Sequence, residues 1–247
     1  MEILYVVLLF LILLGVAYCA RLLRALHAKV SKNSSDLHKL SLENKKRSMI
    51  AYRQTEAFIQ LSNLLDFKAA IPATRSWAAS PDLLLTISEV IKKVRPALVV
   101  ELGSGVSTLV AAKSGARKIV SIDNSDVWGA KTVALLKEHK VRGVDVRIAP
   151  LRPYANGSDW YDVAAIRELK KIDVLIIDGP PGSKNPEARY PALQQFKDKL
   201  SPMAIVIIDD VHRDGERKLA EDFAKALPNH TLEILDHEKG TAIISPR

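Results

Sequence analysis

The chain has 247 residues, of which 48% are hydrophobic and 26% are charged, and its formal net charge is +8. This composition indicates a globular protein rather than a disordered one, with enough length for one sizeable α/β domain and a small appendage. A single cysteine, Cys19, excludes a disulfide framework within the chain.

Residues 3–20 form an uncharged apolar segment, ILYVVLLFLILLGVAYCA. At ~1.5 Å per residue, a helix of this length just spans a bilayer core of ~30 Å. A cleaved signal peptide is the main alternative, but it normally begins with a basic region, and here an acid, Glu2, precedes the apolar run. Because Arg21, Arg24 and Lys29 follow at once, we expect a single-pass protein of the inner (cytoplasmic) membrane whose remaining chain is cytoplasmic.

The next stretch is basic, since residues 21–60 carry nine Lys or Arg and three Asp or Glu. Such a stretch beside an apolar segment predicts contact with membrane lipid, and the absence of any nucleic-acid motif argues against DNA or RNA as a partner. Apolar residues recur there at roughly helical spacing: Ile50, Ala57, Leu61, Leu64 and Leu65. They predict a spacer helix that packs on the domain. A helix lying on anionic lipid, or pairing with a second copy in a homodimer, is the alternative.

Strands and helices alternate along the rest of the chain. Ser80-Pro81-Asp82 predicts a helix start, with the helix running to about Val94. Apolar strands are predicted at 97–102, 118–123, 144–149, 172–178, 203–209, 231–236 and 240–245, with helices at 106–115, 126–140, 161–170, 187–200 and 215–227.

This alternation predicts an α/β fold with a parallel, doubly wound sheet. Three residues separate the last two strands, which is too short for a crossover, so the chain should close on an antiparallel hairpin. We therefore expect a transmembrane anchor at 1–20, a basic helical linker at 21–70 and an α/β domain at 71–247.

A glycine turn follows the first strand, in the segment Glu101-Leu102-Gly103-Ser104-Gly105. Glycines let the backbone approach a ligand and turn into a helix whose amino terminus favours negative groups. Thr108 replaces the third glycine of the dinucleotide fingerprint, which argues against a pyrophosphate binder. A plain strand–helix turn is the alternative. The predicted cofactor contacts here are Glu101, Gly103, Ser104, Gly105 and Ser107.

A single acid, Asp123, ends the second strand. A carboxylate at this position can accept two hydrogen bonds from a ribose diol, although a strand-end acid without a ligand is equally ordinary. Paired with the glycine turn, Asp123 and the adjacent Asn124 are predicted to bind a cofactor.

Three further acids end the fourth and fifth strands: Asp178, in Asp178-Gly179-Pro180-Pro181-Gly182, and the pair Asp209 and Asp210. Neighbouring strand ends meet, so these carboxylates should converge, and a divalent cation such as Mg²⁺ would relieve their repulsion. One alternative is Asp178 or His212 as a catalytic general base without metal. Another is a structural role, with Asp209 capping the next helix and Asp210 paired with Arg213.

These features resemble the class I S-adenosylmethionine-dependent methyltransferases over roughly residues 80–247. The resemblance implies a Rossmann-like seven-stranded sheet of six parallel strands and one antiparallel strand. It also implies that Glu101, similar to the acid of their motif I, contacts the amino group of S-adenosylmethionine, and that Asp178 faces its methyl group.

The acids at the two strand ends are similar to those of the metal-dependent small O-methyltransferases, which implies that Asp178, Asp209 and Asp210 bind Mg²⁺ or another divalent cation. A closer similarity, to uncharacterised bacterial class I methyltransferases, lies in residues 77–82, 101–108, 178–182 and 189–192.

The sequence therefore predicts methyl transfer from S-adenosylmethionine to a hydroxyl of a membrane-associated, lipid-linked or small-molecule acceptor. Arg189, Tyr190 and Arg213 are the candidates for the substrate mouth. A nicotinamide-dependent oxidoreductase and a catalytically inactive membrane-anchored scaffold are the alternatives. The missing third glycine and the closing hairpin argue against the oxidoreductase.

Overall fold

The computed structural model describes residues 1–155, 157–182 and 185–247. The chain divides into two compact units, Met1–Tyr52 and Arg53–Arg247. One continuous helix, α1 (Glu2–Leu64), contains the whole apolar segment and the basic stretch after it. By length and composition α1 could cross a membrane, a criterion that a signal sequence also meets.

The second unit alternates helices with strands. Its further helices are α2 (Pro81–Val94), α3 (Val106–Lys113), α4 (Asp126–Glu138), α5 (Pro191–Phe196) and α6 (Asp214–Ala226). Its strands are β1 (Val99–Leu102), β2 (Ile119–Asp123), β3 (Val144–Ile148), β4 (Leu151–Pro153), β5 (Asp159–Tyr161), β6 (Ile172–Ile177), β7 (Leu200–Asp209), β8 (His230–Leu235) and β9 (Thr241–Pro246).

The main sheet has seven strands in the order β3-β2-β1-β6-β7-β9-β8. The five strands from β3 to β7 in this order are mutually parallel, while β9 runs antiparallel to both β7 and β8. The predicted seven-stranded sheet with one antiparallel strand and a closing hairpin is therefore confirmed. β1 lies at the point where the strand order reverses, and open α/β sheets bind ligands there.

Two predicted helices differ from the structure. The helix expected at 161–170 is wrong: β4 and β5 form a separate two-stranded hairpin, and only a 3₁₀ turn, Val163–Ala165, follows it. The reason is that three-residue strands are too short to show an alternating pattern. The helix expected at 187–200 is real but shorter, since α5 begins at Pro191 and gives way to a 3₁₀ turn, Lys197–Lys199.

Alternate residues of the buried strands face two apolar layers. In β1, Val100 contributes to one layer and Val99 to the other. The layer beyond Val99 contains α2, α3 and the last turns of α1, in which Leu61 is completely buried. The expected packing of the linker's end on the domain is thus confirmed for Leu61, whereas Leu64 is exposed.

Register brings the carboxyl ends of four strands together. Leu102 at the end of β1 pairs with Ile122 of β2 on one side and with Ile177 of β6 on the other. Ile177 in turn pairs with Ile208 of β7. The residues that follow these positions therefore share one edge of the sheet, and they are the acids and glycines singled out in the sequence.

Candidate active site

The glycine turn lies against the chain that leaves β6. Gly103 has a φ of +93°, and a Cβ there would come 2.7 Å from the carbonyl oxygen of Asp178. The amide of Asp178 also donates to the carbonyl of Leu102 at 2.9 Å. Only glycine satisfies both the backbone angle and this close approach. The turn is therefore held in register with Asp178.

Glu101 is a fully buried acid within the apolar layer. Its Oε2 accepts hydrogen bonds from the hydroxyls of Thr108 (2.5 Å) and Ser121 (2.6 Å). Burial raises the pKa of Glu101 to about 7, against hydrogen bonds from Ser107, Ser121 and Thr108 that favour the charged form. Thr108 also accepts from the amide of Gly105 at 3.0 Å, so the acid supports the glycine turn through one side chain.

Asp123 is buried at the end of β2 and faces the glycine turn. Its Oδ2 accepts from the amide (3.0 Å) and the hydroxyl (2.7 Å) of Ser104, and its Oδ1 accepts from the amide of Ser125 (2.9 Å). Since an ionised carboxylate has about four acceptor positions, one remains for a ligand, and the Ser104 hydroxyl also has Thr132 within 3.0 Å. Asn124 beside it is half-buried.

The three strand-end aspartates do converge. Asp178, Asp209 and Asp210 each offer a carboxylate oxygen, and these oxygens lie within 4.8 Å of one another. Asp210 has a φ of +65°, a left-handed conformation that Asp tolerates better than most residues. Burial raises the pKa of Asp178 to about 6 and that of Asp209 well above its usual value, with the neighbouring acids adding to both shifts.

A buried arginine lies among these acids. Arg189 precedes α5, and its Nη2 contacts Asp178 Oδ1 at 3.2 Å and Asp210 Oδ2 at 2.9 Å. Burial alone would lower the pKa of Arg189, but the surrounding acids, Asp178 first, raise it. A half-exposed Arg213 also reaches Asp210 Oδ2 at 3.0 Å, as the structural alternative for that pair predicts.

A fourth acid of the cluster was missed by the sequence reasoning. Glu216, in the first turn of α6, is buried, and its Oε1 lies 3.6 Å from Arg189 Nε and 3.8 Å from Arg213 Nη1. Burial raises its pKa, while Arg189 opposes the shift. A helix-start Glu is so common that nothing in the sequence separates this one from a solvent-exposed residue.

Tyr161, at the end of β5, was also missed. Its hydroxyl is buried and has no hydrogen-bond partner among residues 1–155, 157–182 and 185–247. The Tyr161 hydroxyl lies where the glycine turn after β1 meets the loop after β6. A Cβ built on Gly179 would come 2.3 Å from this hydroxyl and 3.0 Å from the amide nitrogen of Gly103. Burial and the charge of Asp123 raise the pKa of Tyr161 well above 10.

Two predicted residues point elsewhere. The His212 side chain is exposed and lies against Gly240 in the turn between β8 and β9. The Tyr190 hydroxyl donates to Asp222 on α6 at 2.8 Å, which ties it to that helix.

The fit of a divalent cation depends on a set of carboxylates, two of which Arg189 already contacts. The three carboxylates have the hardness and spacing that Mg²⁺ prefers. The guanidinium nevertheless bridges two of them, and a dication there would stand beside a fixed positive charge in a poorly screened site. The residues present therefore fit a metal ion poorly.

Sheet order, the glycine turn at the reversal point and the acids around it define a Rossmann-like domain, and domains of this kind bind their ligands at the strand ends. A family model described as "Methyltransferase domain" matches residues 100–211. Residues 100–211 therefore match a methyltransferase domain, and the sheet has the class I methyltransferase fold. A comparison with curated protein sequences gives no match.

Solved methyltransferases share this fold. The O-methyltransferase TomG from Streptomyces achromogenes, solved with SAM, is 14% identical, covers 81% of this chain and 96% of its own, and superposes with a TM-score of 0.57. The O-methyltransferase from Bacillus cereus, in complex with SAH, is 14% identical over 78% of this chain and 90% of its own, with a TM-score of 0.55. The SAH-bound methyltransferase PaMTH1 of Podospora anserina is 15% identical over 78% and 87%, with a TM-score of 0.54. At these identities the likeness establishes the fold alone.

Proposed function

We propose that this chain transfers the methyl group of S-adenosylmethionine to a hydroxyl oxygen of a membrane-associated or small-molecule acceptor, with Asp178 as the general base. The observation that carries the proposal is the position of Asp178. It follows the central strand β6, its backbone touches the glycine turn, and its carboxylate lies in the acid cluster.

In the proposed cofactor site, the glycine turn accommodates the ligand by close backbone approach, and Gly103, Ser104 and Gly105 form its floor. Asp123 uses its remaining acceptor position for the ribose diol, and Asn124 lies beside it. Glu101 and Ser107 stabilise the glycine turn from the protein side. The Tyr161 hydroxyl is a further proposed contact, since a buried donor without a partner is costly unless a ligand satisfies it.

The chemical step is an in-line displacement. The acceptor oxygen attacks the methyl carbon while the carbon–sulfur bond breaks, its electron pair stays on sulfur, and S-adenosylhomocysteine leaves. The hydroxyl proton passes to Asp178. A carboxyl with a raised pKa is better matched to this task than an ordinary aspartate, because it holds the accepted proton more firmly. Arg213, which is half-exposed beside the acid cluster, is proposed for the acceptor mouth. No step is assigned to a metal ion.

Membrane association is part of the proposal. The apolar segment at the start of α1 is followed within the same helix by Arg21, Arg24 and Lys29, which supports a retained single-pass anchor with the catalytic unit on the cytoplasmic side, where S-adenosylmethionine is made. An anchor of this kind favours acceptors in the membrane, such as a lipid-linked sugar.

The test uses S-adenosylmethionine with a tritiated methyl group and membranes from a strain that lacks this chain. Label should enter an acceptor only when the detergent-solubilised full chain is added. A methyl ether survives alkali and releases its methyl group with boron tribromide, whereas a methyl ester is lost in alkali and an N-methyl group resists both. Alkali-labile label would overturn the hydroxyl assignment, as would label that boron tribromide does not release. Binding of S-adenosylmethionine without any transfer would favour the scaffold alternative.

A further inference from the structure

We infer that the guanidinium of Arg189 is the resident cation of the strand-end carboxylates, so that methyl transfer by this chain needs no divalent metal. The inference rests on the proposed function of the same site and assigns Arg189 a positioning role in place of substrate binding. In this role the positive charge of Arg189, and not that of a metal ion, holds Asp178 and the end of β7 in place.

The first support is the set of contacts that Arg189 makes with its side chain 5% exposed. Nη2 contacts carboxylate oxygens of both Asp178 and Asp210, at 3.2 and 2.9 Å. The guanidinium therefore bridges the ends of β6 and β7 through two of the three carboxylates that could hold a metal ion.

The second support is that backbone carbonyls surround the same group. Nε donates to Pro180 at 3.2 Å, Nη1 to Asp209 at 3.3 Å, and Nη2 to Asp178 at 3.3 Å. Bonds in several directions use the planar fork of an arginine, which a flexible lysine does not reproduce. An arginine so fully engaged is built into the site and is poorly placed to reach out to an acceptor.

The third support is charge. Asp178, Asp209, Asp210 and Glu216 form one cluster, and among residues 1–155, 157–182 and 185–247 the arginines within ion-pair distance of it are Arg189 and Arg213. Arg213 is 48% exposed and contacts Asp210 and Glu216, so Arg189 is the buried one of these two arginines. Without it, the acids would form an oxygen-rich site with room for a hard cation.

The experiment exchanges one cation for the other. We compare the full chain in detergent with Arg189→Met, Arg189→Lys and the control Arg217→Met, an exposed position on α6. Mn²⁺ binding is followed by electron paramagnetic resonance and calorimetry. Arg189→Met should bind one equivalent of Mn²⁺ at least about tenfold more tightly than the unsubstituted chain, and adding Asp210→Asn should abolish the gain. Arg217→Met should behave like the unsubstituted chain.

Activity provides the second readout. Methyl transfer by the unsubstituted chain should survive EDTA and should not rise with Mg²⁺. Arg189→Lys should retain more activity than Arg189→Met because it keeps the positive charge. It should remain less active than the unsubstituted chain because it lacks the planar guanidinium. Three results would each overturn the inference: loss of activity in EDTA with recovery in Mg²⁺, one tight Mn²⁺ on the unsubstituted chain that Asp210→Asn removes, or a folded Arg189→Met that gains no Mn²⁺.

If Arg189→Met does not fold, the chelator experiment and the Mn²⁺ titration of the unsubstituted chain still decide the question. The metal readout is also independent of turnover. A chain that behaves as described toward Mn²⁺ but transfers no methyl group would refute the proposed function and leave the role of Arg189 standing.

Discussion

Asp178 combines three properties that a general base requires: a position on the central strand β6, contact with the cofactor turn, and a carboxylate whose pKa is raised to about 6. Asp178→Asn keeps the shape but cannot accept a proton. We expect it to lower kcat by roughly 10²–10⁴-fold while S-adenosylmethionine still binds. Tritium transfer and calorimetry measure the two effects, with the exposed Asp198→Asn as control. Unchanged kcat would remove Asp178 from the reaction.

Glu101 should make stability depend on pH. Its folded pKa is raised from 4.5 to about 7, so the folded state holds this proton more tightly than the unfolded chain does. The stabilisation is fully present below pH 4.5 and is lost as pH rises through about 7. At 1.36 kcal/mol per pKa unit, the pKa difference between the folded and unfolded states amounts to roughly 3 kcal/mol in the free energy of unfolding.

Glu101→Gln should therefore flatten the fall in melting temperature of the detergent-solubilised chain between pH 5 and pH 8. The raised pKa values of Asp178 and Asp209 also lower stability as pH rises. The informative quantity is therefore the difference in melting temperature between Glu101→Gln and the parent at each pH. The exposed Glu138→Gln is the matched control. Parallel curves for Glu101→Gln and the parent would contradict the prediction.

The Tyr161 hydroxyl offers a test of the cofactor site that separates binding from stability. Tyr161→Phe removes a donor that has no partner among the described residues, so the ligand-free chain should melt no earlier than its parent. If the hydroxyl donates to S-adenosylmethionine, the Kd should rise by about 2–12-fold, the equivalent of one net hydrogen bond. Equal affinities by calorimetry would exclude the contact.

A site residue can be predicted from the sequence when the pattern that marks it lies next to it in the chain. Gly103, Asp123 and Asp178 stand directly after apolar strands, so chain order alone brings them to one edge. Arg189 was noted only for a substrate mouth, because no local pattern shows that its side chain turns inward. Glu216 and Tyr161 enter the site through packing between elements distant in sequence.

At the scale of elements, the turn between β1 and α3 depends on a close approach as well as on its backbone angle. Gly103 and Gly115 both have positive φ, +93° and +100°, but only at Gly103 would a Cβ meet the backbone, at 2.7 Å from Asp178. Gly115→Ala should cost about 1–2 kcal/mol of stability from conformation alone.

Gly103→Ala should lose the same amount of stability from its positive φ. Its new Cβ must also push the glycine turn away from Asp178. We expect it to abolish S-adenosylmethionine binding, while Gly115→Ala keeps the affinity of the parent. Calorimetry and melting curves on the same preparations separate the two effects. Similar affinities for both variants would show that the close approach is irrelevant to the ligand.

The strand directions of the sheet could be predicted, since alternating apolar strands and helices give parallel strands and a three-residue connection gives the closing hairpin. The hairpin of β4 and β5 could not. Its strands have three residues each, and the burial of Trp160 and Tyr161 depends on the layer they cover. This small hairpin matters because it carries the Tyr161 hydroxyl to the strand ends.

For the whole molecule, the proposed anchor predicts that the catalytic unit lies on the cytoplasmic side of a membrane. Arg21, Arg24 and Lys29 follow the apolar segment, and positive charge is retained in the cytoplasm. A green fluorescent protein fused after Arg247 should be fluorescent, and alkaline phosphatase at the same point should be inactive. Intact mass should show that residues 1–20 remain attached.

The control for orientation reverses the charges, Arg21→Glu, Arg24→Glu and Lys29→Glu together, and leaves the apolar segment unchanged. Since the bias of Lys and Arg sets the side, this variant should show a measurable phosphatase-active fraction. Deleting residues 3–20 should instead release a fluorescent chain from the membrane fraction. An active phosphatase on the parent chain would overturn the cytoplasmic assignment and, with it, access to S-adenosylmethionine. A mature mass lacking the apolar segment would identify a signal sequence.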